Sequence, residues 1–397
     1  MKVGLLTTSF PRYTGDVAGN FVLGFARALH QHGHRVDVLA PEPREPFTDA
    51  NEPGIDVHHV PYARPRALQR TFYGAGVPDN LARDPLAWLG LAPFCASLGY
   101  QAWKRSAHWD AVVSHWALPC ALAAGAIRGQ RRHIAVLHSA DIHVLSRLPG
   151  RAQLARSIAR GADVLWFVSE AQQQRFRALL PHGEPMPHSL ICPMGIDVNA
   201  HDVFDGDTRA AFRRRHQLQG FCVLLLGRHV SIKGYDVALR AAALGGEITL
   251  LIAGEGPMRS TWMRQACELG VRAHWLGHVH GDDKQRWLRA ADAFALPSRT
   301  LASGRSEGLP CALLEALAAG LPAVASDLPG IRALQATFAP SLELVPADDP
   351  VALHTALLTL RDRAQAHEHS ELTARAIREQ FSWCGIGARL HALLAAS

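Results

Sequence analysis

With 397 residues the chain is too long for one ordinary domain and suits two of about 200 residues each. Its 48% hydrophobic and 19% charged residues, without internal repeats or low-complexity segments, exclude a disordered or fibrous protein. The net charge of +6 comes from scattered basic residues with no recognisable nucleic-acid motif, which argues against nucleic acid as a partner.

The seven cysteines form no C-x-x-C, so buried free thiols in a reducing compartment are expected, and no zinc site. No window approaches 18 uninterrupted apolar residues, and the apolar run Val3 to Leu6 is far too short for a signal peptide. A cytoplasmic protein is expected, peripheral on the inner face of the cell membrane if it meets one. Arginines cluster at Arg64, Arg66 and Arg70, at Arg128, Arg131 and Arg132, from Arg147 to Arg160, and from Arg213 to Arg215. Each cluster suits a polyphosphate or an anionic membrane surface, and equally a solvated basic face.

Val3 to Thr7 reads as a buried strand, Phe21 to Gly33 as a helix with one apolar face, and Val36 to Leu39 as the next strand. This is the opening of a doubly wound α/β domain. The loop between strand and helix carries Gly15 and Gly19 but no G-x-G-x-x-G, so a dinucleotide fingerprint is absent. Its glycines either admit a ligand close to the backbone or make a plain turn. Further on, FYGAGVPDN is turn-rich. The stretch DPLAWLGLAPFCASLGYQAW, with Trp88 inside it and Trp103 at its end, is apolar and reads as helical despite Pro93. Two readings stay open for it: an acceptor-binding or membrane-contacting surface, or a core-packed helix broken at Pro93.

Ala111 to Ser114 is a strand running into His115-Trp116, and Ile134 to Leu137 one running into His138-Ser139-Ala140-Asp141. Open α/β sheets bind ligands at the carboxyl ends of their strands. That makes His138 the candidate of the N-terminal half, able to donate a hydrogen bond to a hydroxyl or to carry a proton. Asp141 and His115 are weaker candidates beside it. Asp163 to Val168 is a further strand. The loop before Thr208 contains Asp205-Gly206-Asp207, a D-x-D with no strand end beside it, read as a solvated turn and not a metal site.

The second half starts the α/β pattern again. Cys222 to Leu226 is a strand followed by Gly227-Arg228 and Lys233-Gly234, whose two cations can reach one diphosphate. Ile248 to Ala253 ends in Gly254-Glu255-Gly256-Pro257, and Trp275 to Val279 and Ala291 to Pro297 are further strands. The run SEGLPCALLEALAAG then places Pro310 at the start of a helix and Gly320 at its stop. Glu307 lies just before that helix and Glu315 about one turn inside it. A helix N-terminus favours an anion, and carboxylates accept hydrogen bonds from hydroxyls. Phosphate plus hydroxyls describes a nucleotide sugar. Ala323 to Ser326 and Leu344 to Pro346 complete the strands, and residues 381–394 form a final amphipathic helix.

Glu307-x7-Glu315 within EGLPCALLEALAAGLPAVAS resembles the signature of the retaining GT-B glycosyltransferases of family GT4. ICPMGID, GRHVSIKG, IAGEGP and the terminal FSW stand in the family's order, so the resemblance is strong from residue 191 onward and diffuse before it. It implies an α/β protein of GT-B architecture, with two Rossmann-like domains whose parallel sheets face a central cleft. Residues 1–195 would be the acceptor-binding domain and 196–376 the nucleotide-sugar-binding domain. Residues 377–397 would form a helix crossing back to the first domain, anchored by Trp383.

By this resemblance Glu307, His138, Arg228 and Lys233 form the catalytic set. Gly19, Arg228, Lys233, Gly254, Gly256, His278, Val279, Glu307, Gly308, Leu309 and Glu315 line the donor, and His115, Asp141 and Trp88 lie on the acceptor side. No cofactor and no metal are expected, the diphosphate sugar (UDP- or GDP-linked) being substrate. The implied reaction moves a hexose with retention to a hydroxyl of a glycan, lipid-linked or small-molecule acceptor, in cell-surface polysaccharide or glycolipid synthesis. An epimerase of the same fold and a non-catalytic sugar-nucleotide-binding protein remain the alternatives. The base, the sugar, the acceptor and the oligomeric state stay open.

Overall fold

The computed structural model describes residues 1–13, 16, 18–45, 47, 52–74, 76–197, 208–304, 306–339, 341–362 and 366–396. Gly15 and the Asp205-Gly206-Asp207 turn lie outside the described residues. The chain divides into two compact units, Met1–Gly195 together with Trp383–Ser397, and Ile196–Ser382. The last boundary thus falls six residues beyond the expected 376, since the helix ending at Phe381 belongs to the second unit.

The first unit runs β1 (Lys2–Leu6), α1 (Asn20–Gln31), β2 (Arg35–Pro41), β3 (Ile55–Val60), α2 (Val77–Arg83), α3 (Leu91–Ser106), β4 (Ala111–His115), α4 (Leu122–Ile127), β5 (Arg132–Leu137), α5 (Ser139–Leu145), α6 (Arg151–Gly161), β6 (Val164–Phe167), α7 (Glu170–Arg177) and β7 (His188–Ile191). Its sheet is parallel, in the order β3-β2-β1-β4-β5-β6-β7. The inner strands are near-continuous apolar runs because helices cover both faces of a parallel sheet. The edge strands β3 and β7 are partly exposed and carry His58, His59 and His188.

The second unit runs α8 (Arg209–Arg215), β8 (Phe221–Leu226), α9 (Tyr235–Ala243), β9 (Ile248–Ala253), α10 (Arg259–Glu268), β10 (Ala273–Gly277), α11 (Gly281–Ala290), β11 (Ala293–Leu296), α12 (Cys311–Ala318), β12 (Ala323–Ser326), α13 (Pro329–Phe338), β13 (Leu342–Val345), α14 (Pro350–Asp362) and α15 (Ala366–Phe381). The order of its parallel sheet, β10-β9-β8-β11-β12-β13, repeats that of the first unit. Both sheets reverse direction next to their first strand, between β1 and β4 and between β8 and β11. Such switch points open a crevice beyond the strands' carboxyl ends, where doubly wound folds bind ligands.

The last helix, α16 (Trp383–Ala395), packs on α1 within the first unit. Trp383 is seated by missing side chains. A Cβ at Gly24 would come within 2.3 Å of its ring, and one at Gly195 within 2.4 Å.

The stretch around Trp88 keeps half of each expectation. No break occurs at Pro93, because Pro93 sits in the first turn of α3, where an N–H has no helical partner anyway. Phe94, Leu98, Ala102 and Ser106 recur every fourth residue and are buried. The opposite face exposes Tyr100 and Trp103, and the turn before it exposes Leu86, Trp88 and Leu89, with 47–71% of each residue in solvent. The arginine clusters, by contrast, are largely spent in ion pairs: Arg64 and Arg66 on Glu42, Arg70 on Asp84, Arg128 on Asp163, Arg156 and Arg160 on Glu184, and Arg213 on Asp292.

Candidate active site

In the second unit the strand-end loops are locked to one another through backbone. Gly254 and Gly256 have positive φ, and a Cβ on them would lie 2.0 Å from the Gly227 carbonyl and 2.5 Å from the His229 carbonyl. His229 N–H donates to Glu255 O, and Met258 N–H to His229 O. These two glycines therefore let the loops after β8 and β9 touch, so what they do in this structure is hold the loop that carries Arg228 and Lys233. Arg228 is exposed directly after β8. His278 and Val279 follow the end of β10 on the same edge of the sheet, His278 exposed and Val279 packed on the core.

Lys233 closes a short turn whose next residue, Gly234, is left-handed and lies against the Pro297 carbonyl beyond β11. This brings the Lys233 ammonium to 2.7 Å from Glu307 Oε1, with only 13% and 10% of the two side chains exposed. The other oxygen, Glu307 Oε2, is buried without a hydrogen-bond partner among the described residues, as are the hydroxyls of Ser298, Ser306 and Tyr235. A buried polar atom without a partner is costly, and Glu307 Oε2, beside a lysine ammonium, is one that a ligand or ordered water would satisfy. Tyr235 went unnoticed in the sequence. A Cβ at Gly227 would stand 3.4 Å from both its hydroxyl and the Lys233 ammonium. Burial first, then the Glu307 carboxylate, raises the Tyr235 phenol above its ordinary range, so it is a hydrogen-bond donor and not a base. His229, fully buried among Tyr235, Trp262 and Trp275, is pushed down to about 4 by burial and is neutral.

Gly308 and Leu309 are half-buried between Glu307 and α12, and Pro310 is the N-cap. The helix stops as expected: Gly320 is left-handed, its N–H donates to Leu317 O, and Leu321 N–H reaches Ala316 O. Glu315 meets a partner the sequence did not reveal. Lys284 of α11 places Nζ 2.9 Å from Glu315 Oε1. Burial works against the Lys284 charge, but the Glu315 carboxylate more than offsets it, and its pKa is raised.

The first unit gathers His115, His138 and Asp141, and leaves Trp88 outside that group. His138 follows β5 as the N-cap of α5, and its backbone N–H donates to Asp141 Oδ2. Its Nε2 lies 3.2 Å from His115 Nδ1. Burial pushes His138 down to about 3 and His115 well below its usual value, the neighbouring imidazole adding to the latter. Both rings are therefore neutral, packed with Phe21, Phe25 and Trp116. Asp141 is turned inward, accepting from Ala117 N–H at 2.6 Å and His138 N–H at 3.2 Å, and burial lifts it to about 7. In this structure its oxygens serve the α5 cap and the turn after β4. Gly19, left-handed at the N-cap of α1, lies against Ser9 O in the loop after β1. Trp88 donates Nε1–H to Leu81 O and exposes the rest of its indole.

The family described as Glycosyl transferases group 1 matches residues 220–363, and the Glycosyl transferase 4-like domain matches residues 18–186. A GDP-mannose-dependent monoacylated alpha-(1-6)-phosphatidylinositol monomannoside mannosyltransferase of Corynebacterium glutamicum is 30% identical over 70% of this chain and 74% of its own length. A D-inositol 3-phosphate glycosyltransferase of Xylanimonas cellulosilytica is 27% identical over 93% of this chain and 89% of its own. The fold matches the solved sucrose-phosphate synthase of Thermosynechococcus elongatus with a TM-score of 0.75 at 20% identity, covering 99% of this chain and 98% of that one. Two parallel α/β units of this kind have the GT-B fold, and with the family matches they make the chain a glycosyltransferase. More narrowly, the chain belongs to the group 1 glycosyl transferases, family GT4. No helix among the described residues is long and apolar enough to cross a membrane.

Proposed function

We propose that the chain is a retaining, metal-independent hexosyltransferase that holds a nucleoside diphosphate sugar on its second unit. The observation that carries this reading is Glu307, with one oxygen on Lys233 and the other buried and unmatched at the carboxyl edge of the sheet. An arriving diphosphate takes Lys233 from Glu307 and adds Arg228, and both carboxylate oxygens are then left for the sugar hydroxyls. The N–H groups of Gly308 and Leu309 add donors at the start of α12. Two cations facing the leaving diphosphate supply the charge stabilisation that a metal gives in other transferases. Glu315 accepts the ribose hydroxyls. His138 works as a neutral hydrogen-bonding group beside the transferred sugar, because burial keeps it uncharged.

The names of the relatives support GDP-mannose as the first donor to test, and a lipid-linked or phosphorylated polyol as acceptor class. The exposed Trp88, Leu89, Tyr100 and Trp103, beside exposed Lys104 and with no acidic residue from 85 to 109, support peripheral docking on an anionic bilayer.

Calorimetric titration with GDP, UDP, ADP and CMP, on wild type and on the Arg228→Ala/Lys233→Ala double variant, tests the donor site. Binding of one nucleoside diphosphate, GDP first, is expected, with loss in the double variant. No binding of any of them by wild type would overturn the assignment.

A further inference from the structure

The E-x7-E block is held by two lysines, and only one of them belongs to the motifs of the chain. Lys233 comes from the loop after β8. Lys284 comes from the first turn of α11, a different element, and reaches Glu315 across 31 positions of sequence. Only 16% of the Lys284 side chain and 14% of that of Glu315 are exposed. The surroundings single out this carboxylate. Cys311 lies one turn before Glu315, and burial together with that carboxylate pushes its thiol up to about 12, so it stays protonated. Asp197 is the other acidic group acting on Lys284, and its carbonyl takes the neighbouring Gln285 amide at 3.5 Å.

A plain staple between α11 and α12 would not need a charged pair, since apolar residues of similar volume hold buried helices at least as well. What the ammonium adds is direction. A glutamate one turn inside a helix has three side-chain torsions to settle. With Oε1 tied to Lys284, the carboxylate plane is set and Oε2 is aimed in one direction before any ligand arrives. Two of the three ammonium hydrogens remain to meet a hydroxyl oxygen beside the carboxylate. A vicinal diol fits such a pair of groups, one hydroxyl donating to the carboxylate and its neighbour accepting from the ammonium.

We infer that Lys284 is a positioning and specificity residue for the ribose end of the donor site, holding Glu315 as a preset diol acceptor and adding a donor to it. The inference rests on Glu315 being the ribose carboxylate. Lys284 thereby sets the preference for a ribonucleotide over its deoxy form and leaves diphosphate binding, the work of Arg228 and Lys233, untouched.

The test is calorimetric titration of GDP, UDP, their 2′-deoxy forms and inorganic pyrophosphate into wild type, Lys284→Met, Lys284→Arg and Glu315→Gln. Wild type is expected to prefer the ribonucleotide roughly ten- to a hundredfold, the size of a hydrogen bond to a charged group. Lys284→Met is expected to bring that ratio close to unity with pyrophosphate affinity unchanged, and Lys284→Arg to restore most of it. A purely structural role would shift all ligands together, and that result overturns the proposal. So does a wild-type ratio in Lys284→Met when Glu315→Gln has lost it, and in that case Glu315 keeps its ribose role. If Glu315→Gln also keeps the ratio, the ribose reading of Glu315 fails and the inference falls with it. Should Lys284→Met not fold, Lys284→Gln takes its place, keeping a donor and losing the charge.

Discussion

The two units share one strand order and differ in how they treat buried polar groups. In the second unit lysine is set against glutamate twice, Lys233 on Glu307 at 2.7 Å between strand-end loops and Lys284 on Glu315 at 2.9 Å between α11 and α12, and Glu307 Oε2 and the Tyr235 hydroxyl are unmatched among the described residues. In the first unit the corresponding edge is neutral. His138 and His115 pair with each other, Asp141 spends itself on backbone N–H groups, and aromatic rings fill the rest. A charged set with unmatched atoms is poised to exchange partners with an anionic ligand. The neutral set of the first unit, in which His115 Nε2 is buried without a hydrogen-bond partner among the described residues, offers no such charge. On the proposed reading the second unit carries the charge of the reaction and the first shapes the fit of the incoming hydroxyl.

The sharpest way to break this comparison is Glu307→Gln. It keeps the shape and removes the charge on a carboxylate that has one oxygen on Lys233 and the other unmatched among the described residues. Turnover of the sugar donor is expected to fall roughly 10²–10³-fold, as when one preorganised group is removed from a transition state. The affinity for the bare nucleoside diphosphate should hold, because the diphosphate contacts remain. A variant with near wild-type turnover in a radiolabel transfer assay would end the claim that the second unit carries the charge.

A pH series probes the first unit. His133 is fully buried, donates Nδ1–H to Gly161 O, takes the Ser114 hydroxyl on Nε2, and is pushed down to about 4 by burial. Its folded pKa lies below the unfolded value of about 6.5, so the unfolded chain binds more protons between those values, and stability falls as pH drops from 6.5 toward 4. For His133 this contributes on the order of 3 kcal/mol above pH 6.5 that is lost on acidification. In the first unit burial also lowers His115 and His138, together with His34 and His58; in the second it lowers His229, together with His216 and His274. Asp141, raised to about 7, acts with the opposite sign over the same range and offsets one of them. Hydrogen exchange at pH 5 against pH 7 should therefore loosen the first unit more than the second. His133→Gln should flatten the pH slope of the melting temperature, and equal loosening of both units would remove this half of the contrast.

The smallest effect on stability, and the one that sharpens what the first unit presents outward, is Tyr100→Ser/Trp103→Ser. Both side chains are exposed, so the melting temperature should move by little, within about 0.5 kcal/mol per site. Co-sedimentation with anionic phospholipid vesicles should drop markedly, and with neutral vesicles stay low throughout. Undiminished binding of the variant to anionic vesicles would mean the bilayer is met elsewhere or not at all.

How much of this was legible in the sequence follows burial. β9 and β12 stand where their apolar runs lie, residues 248–253 and 323–326, because an inner parallel strand is covered on both faces and reads as an unbroken hydrophobic stretch. β10 and β13 lie two residues earlier than expected, and β3 and β7 gave no signal. All four are edge strands, half in solvent, and three histidines interrupt β3 and β7. α12 was readable to the residue, since Pro310 and Gly320 act through their own backbone torsions and need no distant partner. Arg228, Lys233, Glu307 and Glu315 were each singled out by a local motif, and the structure shows where they sit: Lys233 on Glu307, and Glu315 on Lys284.

Tertiary structure alone decided their partners. Lys284 on Glu315 and the Trp383 ring against Gly24 and Gly195 join segments far apart in sequence, and the Tyr235 hydroxyl beneath Gly227 depends on how the loop after β8 folds back. His138 on His115 and the exposed face of α3 were decided there too. Local torsional preference and hydrophobic period are properties of a few neighbouring residues, so the chain states them directly. Which donor meets which acceptor depends on strand order and loop packing, which no short stretch of this sequence contains.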